Sequence, residues 1–232
     1  MVEQELIDIL KNKYDITFKN QDLLEEALTH SSYANEHREM GVKDYERLEF
    51  LGDAVMEINV SDYIFRNYPD LPEGQLTRLR SAIVCTASFS QFDREVGLQK
   101  FIRLGNGEEK DGARERDTLL EDVFESFNGA LYLDQGNDKV VEFLKKVVYP
   151  HIDSGEFTDD NDYKTELQEE LQKNGDVNID YEVLKEEGSD ENTEFTVQLV
   201  VNNHKLAIGS GHSKKSADQE AAKKQLDIMK KK

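Results

Sequence analysis

The run Glu46-Arg47-Leu48-Glu49-Phe50-Leu51-Gly52-Asp53-Ala54-Val55 decides how this chain is read. Leu48, Phe50, Leu51, Ala54, Val55 and Ile58 give the stretch an apolar, helical character. Glu49 and Asp53 stand at i and i+4, so they share one helix face. Like charges at that spacing repel, and desolvation adds to the cost. A divalent cation is the usual compensation. The run 119–131 repeats the theme, with Asp122 and Glu125 at i and i+3 in another apolar helix. Each helix also carries an interior glycine, Gly52 or Gly129. Interior glycine costs about 1 kcal/mol relative to alanine, so it calls for a reason, and close helix approach is one. If the helices cross at these glycines, four carboxylates converge. An all-oxygen site of that kind suits Mg²⁺ or Mn²⁺, which can activate water for phosphodiester hydrolysis. On spacing alone a solvated acidic face is the alternative, since the chain holds 49 acids.

Outward from these runs, the apolar period stays helical from residue 3 to about 148. Helices are expected over 45–67, 75–86, 88–96, 118–133 and 137–148, with Asn20 as a cap and Pro69 as a stop. Residues 151–161 carry four acids, no Lys or Arg, and Ser154-Gly155, and read as a linker. From residue 162 the pattern changes. A helix fits 163–174, alternating strands fit 179–185 and 194–201, and a short strand fits 205–210. Phe195, Val197, Leu199 and Val201 fall on one face of the second strand. Asn202-Asn203 offers a hairpin turn, and Ser213 caps a last helix. The expected architecture is an all-α domain over 1–150, an acidic linker over 151–161, and a small α+β domain of order α-β-β-β-α over 162–232.

The 232 residues allow two modest domains. Net charge is −20, which argues against a simple basic nucleic-acid coat. Residues 204–232 nevertheless hold eight Lys against three acids. One cysteine, Cys85, excludes a disulfide framework and a Cys-rich zinc site and fits a reducing compartment, so a cytoplasmic location is expected. No apolar run reaches 18 residues and the N-terminus is acidic, so neither a membrane span nor a signal peptide is expected.

The run 46–53 resembles, almost letter for letter, the signature of the ribonuclease III family. Stretches 27–33, 73–80, 98–105 and 119–134 resemble the same family in the same order, so the likeness covers about 5–150. It implies a homodimeric, Mg²⁺-dependent endonuclease for double-stranded RNA, with Mn²⁺ a possible substitute and no small-molecule cofactor. Glu49, Asp122 and Glu125 would hold the metal, and Asp53 and Glu125 would be the essential acids. Glu46 and Glu73 would support the site, and Phe50 would pack at the dimer interface. Products would carry 5′-phosphate and 3′-hydroxyl ends with short 3′ overhangs, and ribosomal RNA precursors and structured mRNA would be the targets. Asn128 and Met56 depart from the family's usual apolar residues.

The segment 162–230 looks like a double-stranded RNA-binding domain, on the strength of Lys164-Thr165-Glu166-Leu167-Gln168-Glu169 and the run 209–222. By that resemblance Thr165, Gln168 and Glu169 face a minor groove, while Lys214 and Lys215 hold phosphates, with Lys205 a weaker candidate. Gly188-Ser189-Asp190-Glu191 stands where the family commonly has Gly-Pro-Ala-His, which implies weaker RNA binding or a shifted contact. The rival readings are a non-catalytic regulator that only binds duplex RNA, a small-molecule phosphohydrolase, and a structural ribosome-associated protein. The first has no need of all four carboxylates, the second leaves the RNA module unexplained, and the third predicts no dependence on Mg²⁺.

Overall fold

A computed structural model describes residues 3–157, 163–173, 177–187 and 193–230. The chain divides into two compact units, 1–158 and 159–232. The first is helical: α1 (Gln4–Tyr14), α2 (Gln21–Ala27), α3 (Ser31–Glu36), α4 (Glu46–Asn67), α5 (Glu73–Ile83), α6 (Thr86–Val96), α7 (Asn106–Lys110), α8 (Asp117–Gln135), α9 (Asn137–Val147) and α10 (Tyr149–Asp153). The second runs α11 (Tyr163–Gln172), β1 (Ile179–Glu187), β2 (Glu194–Val201), β3 (His204–Gly211) and α12 (Lys214–Lys230).

The first unit is built around α8, which α2, α4, α6 and α9 all contact. Its residues from Val123 to Leu131 are buried without a break. A stretch of helix buried on every side belongs inside a bundle. Phe124 and Phe127 pack there against Phe89, Phe92, Phe143 and Phe18. Asn20 caps α2, its side chain accepting from the Asp22 N–H at 3.1 Å. Asn128 is fully buried and donates to the Phe124 carbonyl at 2.8 Å, while Met56 is fully buried among apolar neighbours.

Some boundaries differ from the sequence reading. Helix α5 starts at Glu73, directly after Pro72, and ends at Ile83 because Val84 leaves helical backbone and Cys85 is extended. The segment expected to be linker from residue 151 belongs, through 157, to the helical unit. Pro150 sits in the first turn of α10, where its fixed φ is favourable. Ile152 is buried and Phe157 packs on the same core. The Tyr63 and Tyr68 hydroxyls donate to Asp153 at 2.8 and 3.1 Å. Two apolar anchors thus outweigh the local acidity; the remaining linker positions 158–161 fall outside the described residues.

In the second unit the sheet order is β1-β2-β3, antiparallel throughout, with Ile179 opposite Val201 and Phe195 opposite Gly211. Val197, Leu199 and Val201 are buried on one face, with Phe195 only partly covered. Asn202 and Asn203 both have positive φ, 47° and 64°, as a two-residue type I′ hairpin requires. A bulge between Val183 and Lys185 interrupts β1. The Asp190-Glu191 loop lies outside the described residues.

Candidate active site

The acidic pairs belong to α4 and α8, the most extensively packed helix pair in the first unit. Their approach depends on the two interior glycines. A Cβ on Gly52 would stand 1.8 Å from the Glu125 carbonyl oxygen, and one on Gly129 would stand 2.3 Å from that of Leu48. No side chain fits at either position, so the backbones touch where the acids begin. Glu49 and Asp53 project from α4 one turn apart, with Asp122 and Glu125 opposite on α8.

Exposure is graded across the four. Asp53 is exposed, Glu49 and Asp122 are half-buried, and Glu125 is only 9% exposed. Burial, reinforced by Asp122, Glu46, Glu121 and Asp53, raises the Glu49 carboxyl to about 7. Burial, then Asp53, Glu121, Glu49 and Asp122, raises that of Glu125 to about 8. Burial also raises Asp122, against the opposing pull of a hydrogen bond from Tyr45 and of His30. The groups thus share one electrostatic field. Among the described residues no ion pair or hydrogen bond engages the side chains of Glu49, Asp53 or Glu125. Nor do three acid, His or Cys side chains there already form a metal cage.

A donor set of carboxylate oxygens alone, with the Glu49 and Glu125 carboxyls lifted well above the usual carboxylate range and no protein cation offered, fits a hard divalent ion. Two contributors were not singled out from the sequence. Glu121 adds to the field at both Glu49 and Glu125, and its i,i+4 spacing to Glu125 was the available signal. Tyr45 reaches Asp122 from the start of α4, a contact that no sequence spacing reveals.

Glu46 opens α4, exposed and within the field of Glu49. Glu73 does not join the four. It lies at the start of α5, accepts from Thr77 at 3.0 Å, and borders a pocket with Ile58, Ser61 and Phe65. Ile58 is nine residues, or about two and a half turns, along α4 from Glu49. Phe50 is 82% exposed beside a cavity of about 780 Å³ bordered by Leu23, Leu51 and Leu133. Ile58 and Phe65 follow it along α4, also exposed.

Segments flanking α4 are tied to its start. The Arg103 N–H donates to the Leu28 carbonyl at 2.7 Å, the His30 N–H to Arg103 at 3.1 Å, and the Tyr45 N–H to Thr29 at 2.9 Å. Ser32 Oγ accepts from the Gly105 N–H at 2.9 Å. Stretches 27–33 and 98–105 therefore brace the entry to the acidic helix.

In the second unit Thr165, Gln168 and Glu169 lie at i, i+3 and i+4 on α11. Gln168 is exposed and the other two are half-buried. Lys214 and Lys215 are exposed at the first turn of α12, and Lys205 is exposed on β3. Ser213 caps α12, its Oγ accepting from the Ser216 N–H at 3.1 Å. A Cβ on Gly209 would fall 2.2 Å from the Ala221 nitrogen. That glycine lets β3 lie against α12.

Residues 20–152 match the family described as Ribonuclease-III-like, and 163–229 match the double-stranded RNA binding motif. The chain is 58% identical over 225 residues to Ribonuclease 3 of Latilactobacillus sakei, covering 97% of this chain and 98% of that protein. It is 54% identical over 213 residues to Ribonuclease 3 of Listeria monocytogenes, covering 92% and 93%. Among solved structures, a nuclease domain of ribonuclease III from Campylobacter jejuni, described for flexibility in a region involved in dimer formation, aligns with a TM-score of 0.57. That alignment has 33% identity and covers 62% of this chain and 96% of that one.

Proposed function

The chain belongs to the ribonuclease III family, and on that premise we propose how its own residues serve an endonuclease that hydrolyses phosphodiester bonds of double-stranded RNA. The observation that carries the reading is the meeting of α4 and α8 at Gly52 and Gly129, which sets Glu49, Asp53, Asp122 and Glu125 in one field.

Glu49, Asp122 and Glu125 hold Mg²⁺, with Mn²⁺ a substitute, and Asp53 and Glu125 are the indispensable acids. When bound, the metal supplies a polarised water and offsets charge on the phosphate. Glu49 and Glu125 give up protons as they become ligands, so uptake strengthens as pH rises toward 8. Glu46, at the mouth of the site, adds negative charge beside Glu49. The α11 face of Thr165, Gln168 and Glu169 enters a minor groove, and Lys214 and Lys215 take phosphates across the next groove.

The protein acts as a homodimer. Phe50, Ile58 and Phe65 leave an apolar stripe on α4 that water would otherwise solvate. Glu73, remote from the acids of its own chain, serves a site only from across that interface. The two sites of the dimer each cut one strand, leaving 5′-phosphate and 3′-hydroxyl ends with short 3′ overhangs. Ribosomal RNA precursors and structured mRNA in the cytoplasm are the substrates.

The test is end chemistry on a duplex. A radiolabelled duplex should be cut in Mg²⁺ and spared in chelator, and the fragments should accept a 5′ label only after phosphatase treatment. Cleavage in chelator, or fragments with 3′-phosphates, would refute the reading.

A further inference from the structure

Asp122 alone of the four acids receives a hydrogen bond from a described side chain. The donor is the Tyr45 hydroxyl, 3.0 Å from Oδ2. Tyr45 is only 3% exposed and immediately precedes α4. Its backbone is fixed on both sides: its N–H donates to the Thr29 carbonyl at 2.9 Å, and its own carbonyl accepts from the Leu48 and Glu49 N–H groups at 2.8 and 2.9 Å. The ring lies 5.8 Å from that of His30. A rigid donor on one helix thus crosses to a carboxylate on the other.

Resting on the function proposed above, we infer that Tyr45 is a positioning residue, which orients Asp122 as a metal ligand. Three consequences follow from the geometry. The hydroxyl occupies one lone pair of Oδ2, which leaves Oδ1 as the freer oxygen. Rotation of the Asp122 carboxylate about its Cβ–Cγ bond would break the hydrogen bond, so the ligand is held before a cation arrives. The donor is neutral, so it fixes Asp122 without removing the charge a cation needs. Hydrogen bonds to ligating carboxylates typically matter about 10–100-fold in metal affinity or activity.

Tyr45→Phe removes the hydroxyl and keeps the ring. The Mg²⁺ concentration for half-maximal duplex cleavage should rise about tenfold or more. The affinity for Mn²⁺ without RNA, read by electron paramagnetic resonance of the free ion, should fall by the same factor. At saturating metal the cleavage rate should recover to near wild type, and duplex affinity in Ca²⁺ should be unchanged. In an Asp122→Asn background the same substitution should leave Mn²⁺ affinity where it was. A readout in the unsubstituted chain does not depend on how Tyr45→Phe folds: Mg²⁺ should perturb tyrosine near-ultraviolet absorption in wild type and not in Asp122→Asn. Unchanged metal dependence in Tyr45→Phe, or a rate defect that added metal does not restore, overturns the inference while leaving the nuclease reading intact. A wild type that neither takes up Mn²⁺ nor cuts duplex overturns both.

Discussion

Replacing Gly52 by alanine would put a methyl carbon 1.8 Å from the carbonyl oxygen of Glu125. Real Cβ atoms essentially never approach a heavy atom closer than 3.0 Å, so α4 and α8 must part by about 1.2 Å even to reach that limit. The obstacle is backbone in the buried stretch of α8, which cannot swing aside as a side-chain tip could. Overpacking of this kind costs about 3 kcal/mol, the upper end of its usual range. The gain in helix propensity returns about 1 kcal/mol. A net loss of about 2 kcal/mol lowers the melting temperature of a unit this size by roughly 4–8 °C. Function should suffer more than stability. Glu49 and Asp53 ride on one helix and Asp122 and Glu125 on the other, so the same displacement pulls the acids apart. A misplacement of about 1 Å costs about 10²-fold in rate. Thermal unfolding and single-turnover cleavage of a duplex RNA, measured on the same preparation, check both numbers. An alanine variant that melts within 1 °C of wild type and cuts at an undiminished rate would refute the close-approach argument.

Other perturbations have equally definite signs. Asp93 is fully buried on α6, and burial, against the weaker opposing pull of the Gln99 backbone and of Arg94, raises it to about 8 from an ordinary value near 3.8. Between those pH values the folded chain keeps a proton the unfolded chain has lost, so this group's contribution to stability declines as pH rises from about 4 to about 8. Asp93→Asn should flatten that part of the denaturation profile and be the more stable protein at pH 8; an unchanged slope would contradict it. Lys214→Ala or Lys215→Ala should weaken duplex binding equally across sequences and reduce the salt-dependence slope by about one, as filter binding at several salt concentrations would detect. Mg²⁺ at about 100 times its dissociation constant should stabilise the metal-free protein by about 2.7 kcal/mol, and Glu125→Gln should lose most of that shift in a thermal scan.

Much of this architecture is legible in the sequence because it rests on local patterns. The two acidic helices show their period, and their glycines announce a crossing that the 1.8 and 2.3 Å clearances make concrete. The Asn202-Asn203 turn is equally local, since positive φ favours few residue types. Features set by distant partners were harder to see. The acidity of 151–161 reads as linker, yet within it Ile152 and Phe157 find a core that only the folded unit supplies. Gln198 falls on the strand face opposite Leu199 but is buried, its amide donating to the Leu206 and Ala207 carbonyls at 2.9 and 3.2 Å. Glu73 follows the family pattern in sequence but stands apart from the acids of its own chain, since α5 packs on the far stretch of α4. The Tyr45 contact spans 77 residues, and no periodicity encodes it.

The nuclease proposed above stands or falls with the four carboxylates where α4 meets α8 as its cation-dependent centre. The most direct measurement gives the purified protein and its Glu125→Gln variant a perfect duplex of about 30 base pairs, long enough for a module that spans about 16. Binding and cleavage are followed together in Mg²⁺ and in Ca²⁺. Wild type should bind in both and cut only in Mg²⁺, while Glu125→Gln should bind the duplex and leave it whole. Cleavage by Glu125→Gln at the wild-type rate, or binding without cleavage by wild type in Mg²⁺ and Mn²⁺ alike, would contradict the claim.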